Sequence, residues 1–297
     1  MIEVKDVVKT FDGFRALDGL NLSVPDGSVY GLVGPNGAGK STIIRHLTGI
    51  YRQDSGDVLV DGQPVFENAE VKSRIAYIPD DIFYFPQAST KDMMKFYRGI
   101  YPRFNMGLFE KLGEVFELGI DKPIRRLSKG MQKQSAFWLA VCMRPDILIL
   151  DEPVDGLDPV MRRQIWSIIM KDVAEFGTTV LISSHNLREL EDVCDRVGIM
   201  DSGKMLLERS LADMQENIVK IQIAFPDGIP LPSGLEIVHV SGQGRLKTVI
   251  ARGKAGEIEA LLSAAKPLFM DIVPLTLEEI FVYELGGADY AVKDIIL

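Results

Sequence analysis

The chain has 297 residues, with 33 Lys and Arg against 42 Asp and Glu, a net charge of −9, and two cysteines. Length on this scale predicts about two domains with ample chain to bury a core. The acidic balance argues against a nucleic-acid binder, because phosphate-backbone affinity needs a positive field, and the small basic group Arg125, Arg126 and Lys129 reads as a solvated turn or part of a site.

Met1–Val8 alternates as a strand, not as a charged and then greasy leader. A turn at Asp12-Gly13 and a second strand, Ala16 to Val24, predict a small antiparallel sheet. Phe11 and Phe14 fall at that turn, where a ring can either pack into a core or stack on a base. Ser28 to Val33 then reads as a short apolar strand, and Ser41 to Thr48 as a helix. Between them stand Gly34, Pro35, Asn36, Gly37, Ala38, Gly39, Lys40, Ser41 and Thr42, the phosphate-loop pattern GxxxxGK[ST] in its strand-loop-helix setting. The glycines let backbone N–H groups turn towards one anion, the helix N-terminus adds its dipole, and Lys40 brings a full charge. The Ser41 hydroxyl suits Mg²⁺, which takes oxygen ligands. A dinucleotide fingerprint fits less well, since Thr42 stands where its last glycine would be.

Val58 to Gly62 reads as a hairpin-like return and Arg74 to Ile78 as a buried strand, ended by Pro79-Asp80-Asp81. Ile82 to Phe85 clusters large apolar residues in a loop, which either pins the loop to the core or offers a partner surface. Helices are expected from Lys91 to Tyr101, Met106 to Leu118 and Ser128 to Met143, the last with Ser128 as N-cap. Ile147 to Leu150 is an unbroken apolar run, hence a parallel strand covered on both faces, and Asp151-Glu152 stand at its carboxyl end, where open α/β sheets bind ligands. Asp158-Pro159 starts a helix that Gly177 closes. Thr178 to Ser183 is another buried strand, followed by Ser184-His185 and a helix from Leu187 to Cys194. A hairpin from Val197 to Leu207 completes a first unit, residues 1–209. Cys142 and Cys194 lie in apolar or helical patterns without metal-ligand spacing and read as reduced, buried and structural, as in a cytoplasmic protein.

Residues 210–297 differ in texture. Val219 to Phe225 alternates cleanly, and a Pro/Gly-rich loop runs through Gly234. Strands near Ile237 and Val249, a helix from Ala255 to Ala265, a strand from Phe269 to Val273 and a Thr276–Glu279 capping box for a last helix reaching Gly286-Gly287 predict a small α+β domain without visible catalytic groups. No run of about eighteen apolar residues occurs, so the chain is not expected to span a membrane by itself.

Leu127-Ser128-Lys129-Gly130-Met131-Gln132, placed before the helix and strand that lead to Asp151, resembles the signature motif of ATP-binding cassette (ABC) ATPases, in an order of landmarks that covers residues 1–209. The resemblance implies an α/β fold: a P-loop NTPase core of parallel sheet and helices, with an antiparallel β subdomain and a helical signature subdomain at about 82–143. It implies ATP and Mg²⁺, with Gly34 to Thr42 as Walker A, Asp151 and Ser41 at the metal, Glu152 as catalytic carboxylate, His185 as the switch histidine, Gly156-Leu157-Asp158 as D-loop and Phe11 on the adenine. Ser128 and Gly130 would close over the ATP of a second ATPase subunit, identical or different, packed head to tail. Neighbouring strand residues point apart, so Asp151 can serve the metal while Glu152 polarises water. Where the family usually carries glutamine stands Asp80, also a metal candidate, and Asp155 replaces a small or neutral D-loop residue.

The resemblance also implies a partner, an integral-membrane permease subunit docked at Phe83 to Phe85, and a place on the inner face of the cell membrane. The permease, not this chain, would bind the transported substrate. Leu277 to Phe281 resembles the tail of exporter-type (ABC-2) ATPases, including the Ytr type of Gram-positive bacteria. A soluble ABC ATPase of translation or DNA repair is the alternative, but one Walker A and no room for a long coiled coil speak against it. A non-hydrolysing regulatory module is disfavoured by Lys40, Glu152 and His185.

Overall fold

Ile2 and Val4 bury one face of strand β1 (Ile2–Phe11), and a register shift around Asp6, which adopts φ 49°, lets Val7 turn inward in its place. The computed structural model describes residues 1–216, 218–226, 231–232, 234–242 and 244–284. They fall into two units, Met1–Glu208 and Arg209–Leu297.

In the first unit β1 is followed by β2 (Phe14–Val24), β3 (Val29–Val33), α1 (Lys40–Leu47), β4 (Ser55–Val60), β5 (Gln63–Pro64), α2 (Ala69–Lys72) and β6 (Ile75–Ile78). Then come α3 (Thr90–Ile100), α4 (Met106–Phe116), α5 (Lys129–Cys142), β7 (Ile147–Asp151), α6 (Pro159–Phe176), β8 (Thr179–Ser184), β9 (Arg196–Asp201) and β10 (Lys204–Ser210). The expected antiparallel sheet has the order β2-β1-β4-β5, and a six-stranded sheet has the order β10-β9-β3-β8-β7-β6. Its neighbours β9-β3, β3-β8, β8-β7 and β7-β6 are parallel. All residues of β3 and β7 are buried, as unbroken apolar runs require of strands covered on both faces. One apolar core joins the two sheets, with Leu17, Leu20, Ile43, Ile44, Ile149 and Leu181 all wholly buried.

Each of the three α-helices between β6 and β7 starts on a side-chain cap: Ser89 and Asp92 form a capping box for α3, Asn105 caps α4, and Ser128 caps α5. Helices α4 and α5 pack through Trp138, whose ring stacks on Phe109 at 4.4 Å and whose Nε1 donates to the Phe109 carbonyl. Cys142 and Cys194 are free and buried, and burial pushes the Cys142 thiol up to about 12.

The expected helix Leu187 to Cys194 does not form. A single 3-10 turn, Leu187–Glu189, is followed by further turns, with Leu190 N–H donating to Leu187 O and Val193 N–H to Leu190 O. Leu187, Leu190 and Val193 are buried at a spacing of three, the period of a 3-10 helix, so the tighter winding keeps all three on one line.

The second unit contains α7 (Leu211–Glu216), which the sequence reading missed, β11 (Ile218–Ala224), β12 (Glu236–Ser241), β13 (Leu246–Arg252), α8 (Ala255–Ala264), β14 (Phe269–Val273) and α9 (Leu277–Glu284). Its antiparallel sheet has the order β12-β13-β11-β14. Val219, Ile221 and Ile223 of β11 meet Val249 and Ala251 of β13 and Ile258 and Leu262 of α8 in a core of their own. Thr276 and Glu279 form the expected capping box, with Thr276 N–H donating to Glu279 Oε2 and Glu279 N–H to Thr276 Oγ1. The reach of that helix to Gly286-Gly287 lies outside the described residues, as does part of the loop before Gly234. Among the described residues no helix is long and apolar enough to cross a membrane.

Candidate active site

Strands β3, β8, β7 and β6 are consecutive neighbours and run in one direction, so their carboxyl ends form one edge, where ligands of open α/β sheets bind. The phosphate loop leaves β3. Gly34 packs so closely on the neighbouring hairpin that a Cβ would lie 2.3 Å from the Met200 carbonyl, and Gly39, at φ 104°, starts α1 in the left-handed region. Lys40 is only 6% exposed; its ammonium donates to the Gly34 carbonyl at 2.6 Å and lies 3.6 Å from Glu152 Oε1. Burial lowers its pKa, and Glu152 and Asp151 oppose that shift.

Asp151, the last residue of β7, is buried and accepts from Ser183 Oγ of β8 at 2.6 Å and from Ser41 Oγ at 3.3 Å. A buried carboxylate beside a hydroxyl on the turn after a phosphate loop is the all-oxygen donor set that a hard divalent cation takes. The residues present therefore fit Mg²⁺. Ser183 was not singled out from the sequence; nothing local marks it, because its role comes from the pairing of β7 with β8.

Alternation along β7 does not separate Asp151 from Glu152, as the sequence reading expected. Glu152 lies past the strand at φ 46°, a left-handed conformation that costs a non-glycine residue about 1–3 kcal/mol and persists only where the surroundings hold it. Its N–H donates to Ser183 O and Ser183 Oγ, and its carboxylate meets His185 Nδ1 at 2.9 Å. His185 N–H donates to the same carboxylate oxygen at 3.3 Å. Burial raises the Glu152 pKa, with the His185 hydrogen bond and the Lys40 charge opposing it. The His185 pKa is raised in turn, chiefly by its hydrogen bond to Glu152. A carboxylate so placed can accept a proton from water while the imidazole orients it. Asp155 completes a cluster in which side-chain oxygens and the imidazole nitrogen all lie within 4.8 Å of one another, and its charge raises both neighbouring pKa values.

A cavity of about 380 Å³ is lined by Pro35 to Thr42, Phe11, Phe14, Ala16, Asp80 and Glu152. The structure thus brings together the loop, both candidate rings, Asp80 and Glu152. Phe11 meets Tyr51 edge-on at 5.4 Å, and Phe14 is 68% exposed. Asp80 lies 3.5 Å from the ammonium of Lys133, a buried residue of α5 that also donates to the Glu152 carbonyl at 2.7 Å. Lys133 belongs to no motif; its one mark in the sequence is a lysine shortly ahead of the apolar run Ala136 to Met143 in the expected helix. Ser128 and Gly130 do not line the cavity: Ser128 is exposed and caps α5 by accepting from Met131 N–H. Of the loop aromatics, Phe83 is 85% exposed and Phe85 is exposed against Phe96, whereas burial raises the pKa of Tyr84 between them.

The family described as ABC transporter matches residues 17–155. The ABC transporter ATP-binding protein YtrB of Bacillus subtilis (strain 168) is 32% identical over 288 residues, 97% of this chain and 99% of that protein. The daunorubicin/doxorubicin resistance ATP-binding protein DrrA of Streptomyces peucetius is 33% identical over 73% of this chain and 67% of its own length. Among solved structures, an ATP-binding subunit of an ABC transporter superposes with a TM-score of 0.67 at 26% identity, over 72% of this chain and 92% of that one.

Proposed function

The chain belongs to the family of ABC transporter ATP-binding proteins and is an ATPase, and from that premise we propose that it is the motor subunit of an exporter, coupling ATP-driven closure of an ATPase pair to a separate membrane permease. Residues 1–209 are the nucleotide-binding domain in this reading and residues 210–297 an accessory domain. Gly34 to Thr42 hold the triphosphate, with loop N–H groups and Lys40 meeting its oxygens and Phe11 the adenine. On nucleotide entry Lys40 gives up its contact to Glu152 for a phosphate oxygen. Glu152 accepts a proton from the attacking water, and His185 holds that carboxylate and contacts the γ-phosphate.

Ser41 and Asp151 are the residues that would hold Mg²⁺. The ion, when bound, neutralises charge on the phosphate oxygens. Asp80, the third expected ligand, lines the cavity but has its carboxylate beside Lys133.

The observation that carries the paired reading is the position of Ser128 and Gly130. They stand at the N-terminus of a fourteen-residue helix, α5, yet outside their own chain's phosphate cavity, so their anion-binding end is free for the nucleotide of a second ATPase subunit, identical or different. Exposed Phe83 and Phe85 support a docking surface for the permease, which would hold this chain on the inner face of the cell membrane and bind the cargo itself. The resistance role in the name of the Streptomyces peucetius relative supports export.

The test is Glu152→Gln. It is expected to give an ATP-dependent dimer by size-exclusion chromatography and to slow phosphate release by about a hundredfold or more, the scale of a lost general base. Phosphate release at the parental rate would remove Glu152 from that role.

A further inference from the structure

Two lysines are buried among the described residues, Lys40 and Lys133, and the chemistry above uses only the first. An ammonium removed from water needs fixed partners. Lys133 has two, and they come from two different strand ends. It donates to the carbonyl of Glu152, just past β7, at 2.7 Å, and faces Asp80, just past β6, at 3.5 Å. Lys133 itself stands on α5, whose first turn carries Ser128 and Gly130.

Glu152 is held on every side. Ser183 takes its N–H, His185 and Lys40 take its carboxylate, and Lys133 takes its carbonyl. For a residue in a left-handed conformation, the direction of the carbonyl fixes the peptide plane that follows, and with it the direction in which the side chain leaves the turn. Without the ammonium that carbonyl loses its side-chain partner, and only the Pro153 ring that follows restricts the plane.

We propose that Lys133 is a positioning residue for ATP hydrolysis: with Asp80 as its counter-charge it holds the Glu152 peptide in its left-handed turn, aims the Glu152 carboxylate, and ties that aim to the helix that carries Ser128 and Gly130. The inference rests on Glu152 being the catalytic carboxylate. It gives Asp80 a role through Lys133 in place of one at the metal. A movement of α5 that follows engagement of Ser128 and Gly130 on the opposite nucleotide reaches the chain's own Glu152 through one side chain.

The experiment is steady-state ATP hydrolysis by the full chain at varied ATP and varied Mg²⁺. Lys133→Met keeps an apolar stem and loses the charge; kcat is expected to fall by about 10- to 100-fold with the KM for ATP within about twofold, the signature of a misaimed group. Lys133→Arg, which keeps charge and donors, recovers about tenfold of that loss. Asp80→Asn lowers kcat about threefold without moving the Mg²⁺ half-saturation point, and combined with Lys133→Met it is no slower than Lys133→Met alone, because both changes act on one contact.

Parental kcat in Lys133→Met beside an inactive Glu152→Gln overturns the inference and leaves the role of Glu152 intact. An Asp80→Asn effect that shifts the Mg²⁺ curve and adds to that of Lys133→Met also overturns it and assigns Asp80 to the metal. Parental hydrolysis by Glu152→Gln instead overturns the underlying reading. Should Lys133→Met fail to show a cooperative thermal transition, Asp80→Asn decides alone: the threefold loss at unchanged Mg²⁺ dependence supports the inference, and parental kcat overturns it.

Discussion

The two units bury apolar surface in the same way, a sheet face against helices, but they differ in what else they bury. Lys40, Lys133, Asp151, Ser183 and Ser184 are buried in the first unit, and among the described residues the second buries no polar or charged side chain. The pair of Lys220 with Glu279 at 2.6 Å in the second unit is partly open to water. Burying charge is costly unless each group is paired, so a fold accumulates such groups only where something is gained by them. In the first unit the buried charged side chains Lys40, Lys133 and Asp151 gather at a single edge, the carboxyl ends of four parallel strands. The contrast is between a unit whose buried charges lie at the candidate site and one whose described core is apolar throughout.

The hardest blow to that contrast falls on the buried cation of the loop. Lys40→Ala is expected to lower kcat/KM for ATP by about a hundredfold, the scale of a lost hydrogen bond to a charged group, and nucleotide titration should place most of the loss in binding. Retained ATP affinity would mean that the loop N–H groups suffice.

His185→Ala should cost less, about tenfold in kcat, as for one hydrogen bond. It also has a signed pH effect. Glu152 must be ionised to accept a proton, and burial already raises its pKa above the ordinary glutamate range. The acid limb of kcat/KM, which reports the nucleotide-free protein, therefore lies above that range, activity being lost as pH falls through the raised value. His185 lowers the Glu152 pKa, so its removal moves the limb further up. A pH profile of kcat/KM checks this; a limb that moves down would make the imidazole the titrating base.

The smallest expected effect on turnover comes from the second unit. Ile223→Ala, at a wholly buried position of β11, should destabilise that unit by about 2–4 kcal/mol in chemical denaturation and leave kcat within about twofold. A tenfold loss of ATPase activity would show that the second unit does more than stand beside the first.

What could be read in advance follows the same divide. Gly34 to Thr42 and the carboxylate pair Asp151-Glu152 could be singled out because a phosphate loop and a strand-end acidic pair are short local patterns, whereas His185 was singled out only by its place in the order of the family's landmarks. Strand β11 of the second unit was legible because one wet face forces alternation from Val219 to Phe225, though alternation carries no word about function. Lys133 and Ser183 were not legible, since each acts on a residue from a distant stretch that only the sheet order brings close. The left-handed turn at Glu152 escaped because a non-glycine residue gives no local sign of such a backbone. The stretch from Leu187 to Val193 was misread because a spacing of three suits the first turns of an α-helix and a 3-10 turn alike, and burial decided between them.

The stacked pair Trp138 and Phe109 gives the protein a built-in optical gauge. The chain has two tryptophans, and Trp138 rides on the helix that joins Ser128 and Gly130 to Lys133, with its indole 1% exposed and held against the neighbouring helix. Any sliding of α5 over α4 changes that stacking and hence the indole emission. With Trp166 replaced by Phe, a single intrinsic fluorophore would follow the helix in real time, unlabelled, as nucleotide is bound and spent.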